Sequence, residues 1–102
     1  MQPLIVSRRS EIAEICKRRG VLRLEVFGSA ARGDFDDRTS DIDFLVEFDD
    51  HPGASALETY FGLKEELEAL FGKPVDLVMP AAVRNPYIRA ELTRDRQIVY
   101  AA

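Results

Sequence analysis

Residues 41–48, DIDFLVEF, alternate two kinds of side chain: Ile42, Phe44, Val46 and Phe48 fall on one face, and Asp41, Asp43, Leu45 and Glu47 on the other. A period of two is that of a pleated strand and cannot be that of a helix. Such a strand must find a partner strand and a covering layer for its apolar face, so the chain is committed to a sheet with something packed on it.

The rest of the chain supplies the partners. VLRLEVF (21–27) sets Val21, Arg23, Glu25 and Phe27 against Leu22, Leu24 and Val26, a second strand with one well-buried face. PVDLVM (74–79) alternates Val75, Leu77 and Met79 against Asp76 and Val78, and QIVYA (97–101) reads as a closing strand. Between them lie helical signals. Ser7 or Ser10 can cap a first helix carrying Ile12, Ile15 and Cys16, which closes with Arg18, Arg19 and Gly20. A short helix is predicted from SAAR (29–32). Ser55 and Glu58 form a capping box for the longest helix, about 55–71, whose Leu63, Leu67, Leu70 and Phe71 share a face. Asn85 and Pro86 open a last helix with Ile88 and Leu92. The order predicts an α/β (α+β) fold: a small mixed sheet of about four strands with helices packed on it.

At 102 residues the chain has room for one core, so a single domain spanning 1–102 is expected. Its 14 basic and 18 acidic residues leave a net charge of −4, which provides no general field for holding nucleic acid. Cys16 is the single cysteine and cannot form an internal disulfide. No apolar run approaches the roughly 18 residues that cross a membrane. The N-terminus lacks a secretory pattern. A cytoplasmic location, away from any membrane, is the expectation.

The acidic residues are concentrated between 34 and 50, mostly in turn-like sequence where water screens them; His51 reads as a loop residue. Asp41 and Asp43 differ, because residues two apart on a strand share a face with Cα atoms about 6.5 Å apart. Carboxylates so placed can share hard cations, and paired cations are the usual clamp for phosphoryl transfer. Asp76, polar among the core-facing neighbours of a later strand, would join them if the two strands were adjacent. Gly28 and Ser29, where the first strand ends, would let backbone N–H groups and a hydroxyl approach an anion.

Taken together, GSAARG (28–33), SDIDFLVEF (40–48) and KPVDLVMP (73–80) resemble the minimal nucleotidyltransferases of the DNA polymerase beta-like superfamily, encoded beside HEPN-domain toxins in prokaryotes. The resemblance extends from the first helix to QIVY. It implies two Mg2+ ions and ATP as donor, with Gly28 and Ser29 holding the triphosphate. By the same resemblance Asp41 and Asp43 bind both metals, while Asp76 binds one and helps deprotonate the acceptor. Arg32 falls either on a phosphate or on open surface. Eleven residues, Ala30 to Ser40, separate Ser29 from Asp41, one more than the family's usual spacing; the turn between them can absorb the extra residue. The family's implied partner is a HEPN ribonuclease toxin, silenced by AMP on a tyrosine hydroxyl, which makes the chain the antitoxin. Two alternatives stand beside this reading: an antitoxin that masks its toxin by stoichiometric binding, and an aminoglycoside-type transferase acting on a small molecule.

Overall fold

The computed structural model describes residues 3–28, 41–49, 56–79, 85–87, 90, 94 and 96–102. In chain order the elements are α1 (Pro3–Ser7), α2 (Arg9–Arg18), β1 (Val21–Phe27), β2 (Ile42–Phe48), α3 (Ala56–Phe71), β3 (Val75–Val78) and β4 (Gln97–Ala101). The four strands form one mixed sheet in the order β3-β2-β1-β4. β1 is antiparallel to both neighbours, and β2 runs parallel to β3. A parallel pair cannot be joined by a tight turn, which is why the longest helix, α3, lies between β2 and β3 in the chain.

One face of the sheet is the core. Leu24 and Val26 of β1, Ile42, Phe44 and Val46 of β2, and Val75 and Leu77 of β3 pack against Ile12, Ile15 and Cys16 of α2 and Leu63, Leu67 and Phe71 of α3. Leu63 and Leu67 are fully buried, each contributing about 1.5–3 kcal/mol of apolar transfer. The rings of Phe44 and Phe71 stack at 6.2 Å.

The helices also cover the free edges of the sheet. On β3 the Glu68 carboxylate accepts from the Val75 N–H at 3.1 Å, and the Tyr60 hydroxyl donates to the Leu77 carbonyl at 2.7 Å. On β4 the Arg9 guanidinium donates to the Ile98 carbonyl at 2.9 Å. Side-chain partners of this kind occupy groups that would otherwise template strand addition. A polar clamp ties the two helices: Arg18 of α2 and Arg19, which caps its C-terminus, reach Glu66 of α3 at 2.7 and 2.5 Å. Gly62 leaves the space in which the Arg19 guanidinium lies. α3 ends at Gly72, which adopts φ +67° and donates its N–H to the Glu68 carbonyl at 2.8 Å.

Several expectations are corrected. The N-terminal segment is two helices, and neither serine caps α2: Arg8 occupies the cap position without a side-chain bond, the Ser7 hydroxyl donates back to the Leu4 carbonyl at 3.1 Å, and Ser10 lies inside the helix. Leu22 is 45% exposed while Val21 is buried, because an irregularity between Val21 and Arg23 breaks the alternation. Met79 follows β3 and stands exposed, since the strand ends at Val78. The Asn85 opening is as expected, its side-chain oxygen accepting from the Tyr87 N–H at 2.9 Å. The SAAR helix, the cap at Ser55, His51, Ile88 and Leu92 lie outside the described residues. Among the described residues no helix is long and apolar enough to cross a membrane.

Candidate functional site

The face of the sheet turned away from α2 and α3 carries Arg23, Glu25 and Phe27 of β1, Asp43, Leu45 and Glu47 of β2, and Asp76 and Val78 of β3, as the alternation and register require. Asp43 is paired across the parallel strands with Asp76, and across the antiparallel strands with Phe27. Two carboxylates thus start about 4.8 Å apart on adjacent strands. The adjacency on which Asp76 depended is present, and it brings the later aspartate to the same end of the sheet as the DxD pair. Asp43 is half-buried; Asp41, immediately before β2, and Asp76 are exposed.

Gly28 closes this end from the other side. It follows β1 with φ +70°, a conformation that side chains rarely tolerate, and a Cβ built on it would stand 2.6 Å from Asp43 Oδ2. The backbone of residue 28 is therefore pressed against the carboxylate of residue 43. Ser29 and Arg32 lie outside the described residues.

The donor set consists of carboxylate oxygens, the chemistry of a hard cation. Among the described residues no group of three or more His, Cys, Asp or Glu is arranged as a metal cage. Asp41, Asp43 and Asp76 share one end of the sheet without closing around a point. Magnesium is commonly held by one or two carboxylates, with water and substrate phosphates filling the remaining positions, so the residues present fit such an ion.

The alternation of β1 put Glu25 on the less buried face, yet it is 6% exposed and is the buried charged residue among those described. Its oxygens lie 3.3 Å from Arg96 Nε and 3.8 Å from Arg23 Nη1. Sequence reasoning missed this cluster because Arg96 is brought to Glu25 by the pairing of β4 with β1; local pattern supplies only Arg23. Phe27 and Leu45 on the same face are also buried, so the middle of the sheet is covered on both sides. Elsewhere, Leu57, Tyr60, Phe61 and Met79 line an apolar groove of about 410 Å³ beyond Leu77, at the end of β3 remote from Asp76.

Residues 9–99 match the family described as nucleotidyltransferase domain. A chain of Thermococcus cleftensis named protein adenylyltransferase MntA is 35% identical over 100 residues, covering 98% of this chain and 91% of that one. A solved structure provisionally named a minimal nucleotidyltransferase superposes with a TM-score of 0.75 at 35% identity, covering 95% of each chain. A chain from the complex of tri-AMPylated Shewanella oneidensis HEPN toxin with MNT antitoxin superposes with a TM-score of 0.65 over 96% of this chain and 73% of that one. At 15% identity the last likeness is one of fold.

Proposed function

Because the chain belongs to the nucleotidyltransferase domain family, we propose that it transfers AMP from ATP to a tyrosine hydroxyl of a HEPN-domain toxin and thereby acts as the antitoxin. The observation that carries this reading is the register of Asp43 with Asp76, with the Gly28 backbone against the Asp43 carboxylate. The names of the relatives support it: one is a protein adenylyltransferase, and another belongs to a complex with an AMPylated HEPN toxin.

In this reading Asp41, Asp43 and Asp76 hold two magnesium ions. Bound there, the metal supplies the charge that offsets the attacking and leaving oxygens. The Gly28 N–H and the Ser29 hydroxyl bind the triphosphate, with Arg32 as a further phosphate contact. Asp76 accepts the proton of the acceptor hydroxyl, whose oxygen forms a bond to the α-phosphorus as the bond to pyrophosphate breaks. Orientation and electrostatics carry the reaction, so no covalent nucleophile of the chain is needed. The setting proposed for this reaction is the cytoplasm.

The test is to incubate the protein with α-labelled ATP, magnesium and a HEPN-domain protein from the same genome, beside Asp41→Asn and Asp43→Asn variants. Label on the HEPN protein that disappears in both variants supports transfer. Neutralisation of the toxin that survives both substitutions overturns it in favour of stoichiometric masking.

A further inference from the structure

β4 pairs with β1 so that Ile98 stands opposite Glu25 and Gln97 opposite Val26. One step further along this register, Arg96 comes beside Phe27, which is paired on its other side with Asp43, itself paired with Asp76. Asp76, Asp43 and Phe27 therefore form one row across the face opposite the helices, and Arg96, just before β4, extends it along the backbone while its guanidinium reaches back to Glu25. Two strand spacings, about 9.6 Å, separate the backbones of Asp43 and Arg96. Gly28 follows Phe27 directly, so its backbone adjoins this row.

Glu25 lies one pleat in from this row, on the same face. A carboxylate this buried is costly unless paired, and replacing an ion cluster by apolar packing often leaves stability unchanged or raised. What the cluster provides is position. Glu25 grips Arg96 through Nε at 3.3 Å, while the Arg96 side chain remains 48% exposed. One carboxylate is shared by two guanidiniums, Arg23 and Arg96, so Glu25 alone does not neutralise both.

We propose that Arg96 binds the β- and γ-phosphates of the nucleoside triphosphate donor, and that Glu25 is the positioning residue that holds it. This rests on the nucleotidyl-transfer reading above. A triphosphate whose α-phosphate lies at Asp43 and Asp76 carries further negative charge beyond the carboxylate end, where a cation is required. The planar guanidinium matches phosphate oxygens in pairs. Tethering by Glu25 removes rotamer freedom before the ligand arrives, lowering the entropy lost on binding.

The experiment measures binding of the non-hydrolysable analogue α,β-methylene-ATP with magnesium, and of AMP, by calorimetry. It is paired with kinetics of transfer to the HEPN-domain protein. Arg96→Ala is expected to weaken the triphosphate analogue about tenfold or more, the scale of a charge-assisted contact, and to leave AMP binding unchanged. Arg96→Lys recovers part of the loss, and Glu25→Gln weakens the analogue in the same direction by less. In kinetics the loss falls on the KM for ATP and not on the KM for the acceptor. Triphosphate binding within twofold of wild type in Arg96→Ala, equal losses for AMP and the triphosphate, or a change confined to the acceptor KM overturns the proposal. So does absence of analogue binding by the wild-type protein. If Arg96→Ala does not fold, the double variant Glu25→Gln/Arg96→Ala, which removes the stranded carboxylate charge, carries the same comparison. Wild-type protein that binds the analogue but labels no HEPN protein overturns the transfer reading alone.

Discussion

Residue 28 and residue 43 are in contact through what residue 28 lacks: a Cβ at Gly28 would lie 2.6 Å from the Oδ2 of Asp43. The strand end and the carboxylate, 15 positions apart in the chain, are one piece of local geometry. Phe27 and Asp43 are cross-strand partners, and Gly28 takes its positive φ directly after Phe27.

Gly28→Ala tests that contact. The substituted residue would have to adopt a left-handed backbone, at about 1–2 kcal/mol, and displace the Asp43 side chain as well. A lowered melting temperature is expected, together with a fall in nucleotidyl transfer of about 100-fold, the scale of an ångström-sized misplacement of a catalytic group. A variant with wild-type transfer would show that the close approach is incidental.

Asp76→Asn separates chemistry from folding. The side chain is exposed, and a near-isosteric exposed change shifts stability by no more than about 0.5 kcal/mol. Transfer is expected to fall at least about 100-fold, as when a group stabilising developing charge is lost. Matching melting curves beside a lost activity would support its role; retained activity would remove Asp76 from the site.

The clamp of Arg18 and Arg19 on Glu66 gives a pH dependence. Partial burial works against the charged carboxyl, but the hydrogen bonds and charges of the two arginines outweigh it and hold Glu66 below its ordinary value of 4.5. With the folded value depressed, the clamp's contribution is fully present above about pH 4.5 and is lost as pH falls through the lower folded value. The clamp is solvent-accessible enough that its contribution stays under about 1 kcal/mol. Melting temperatures of wild type and Glu66→Gln should differ at neutral pH and converge as pH falls below 4.5 and through the lower folded value. Parallel curves across that range would rule the clamp out as the cause.

Cys16 should be chemically silent in the native protein. It is fully buried among Ile12, Ile15 and the sheet, and burial raises its thiol to about 12, so the reactive thiolate is scarce. Reaction with a thiol reagent near pH 8 is expected only after denaturant unfolds the chain. Rapid labelling of the native protein would contradict the burial.

Much of this molecule is legible along the chain. Alternation in 21–27 and 42–48 matches β1 and β2, the Leu63, Leu67 and Phe71 spacing matches the buried face of α3, and Gly72 ends that helix where its position suggests. The failures have local causes. The irregularity after Val21 reverses the exposure of Leu22, Met79 falls one residue past its strand, and α2 begins without a side-chain cap. A period of two says nothing about where a ladder breaks or ends, because that depends on the partner strand.

By itself the sequence determined which side chains share a face: the pleat places Asp43 with Leu45 and Glu47, and Asp76 away from Val75 and Leu77, wherever those strands lie. Only the tertiary structure decided that β3 is the neighbour of β2, with Asp76 opposite Asp43, and that β4 brings Arg96 to Glu25. The physical reason is range. Side-chain direction is set by dihedral angles within a few residues, whereas strand order and register are set by how α3 and α2 bury one shared core, a property of the whole chain.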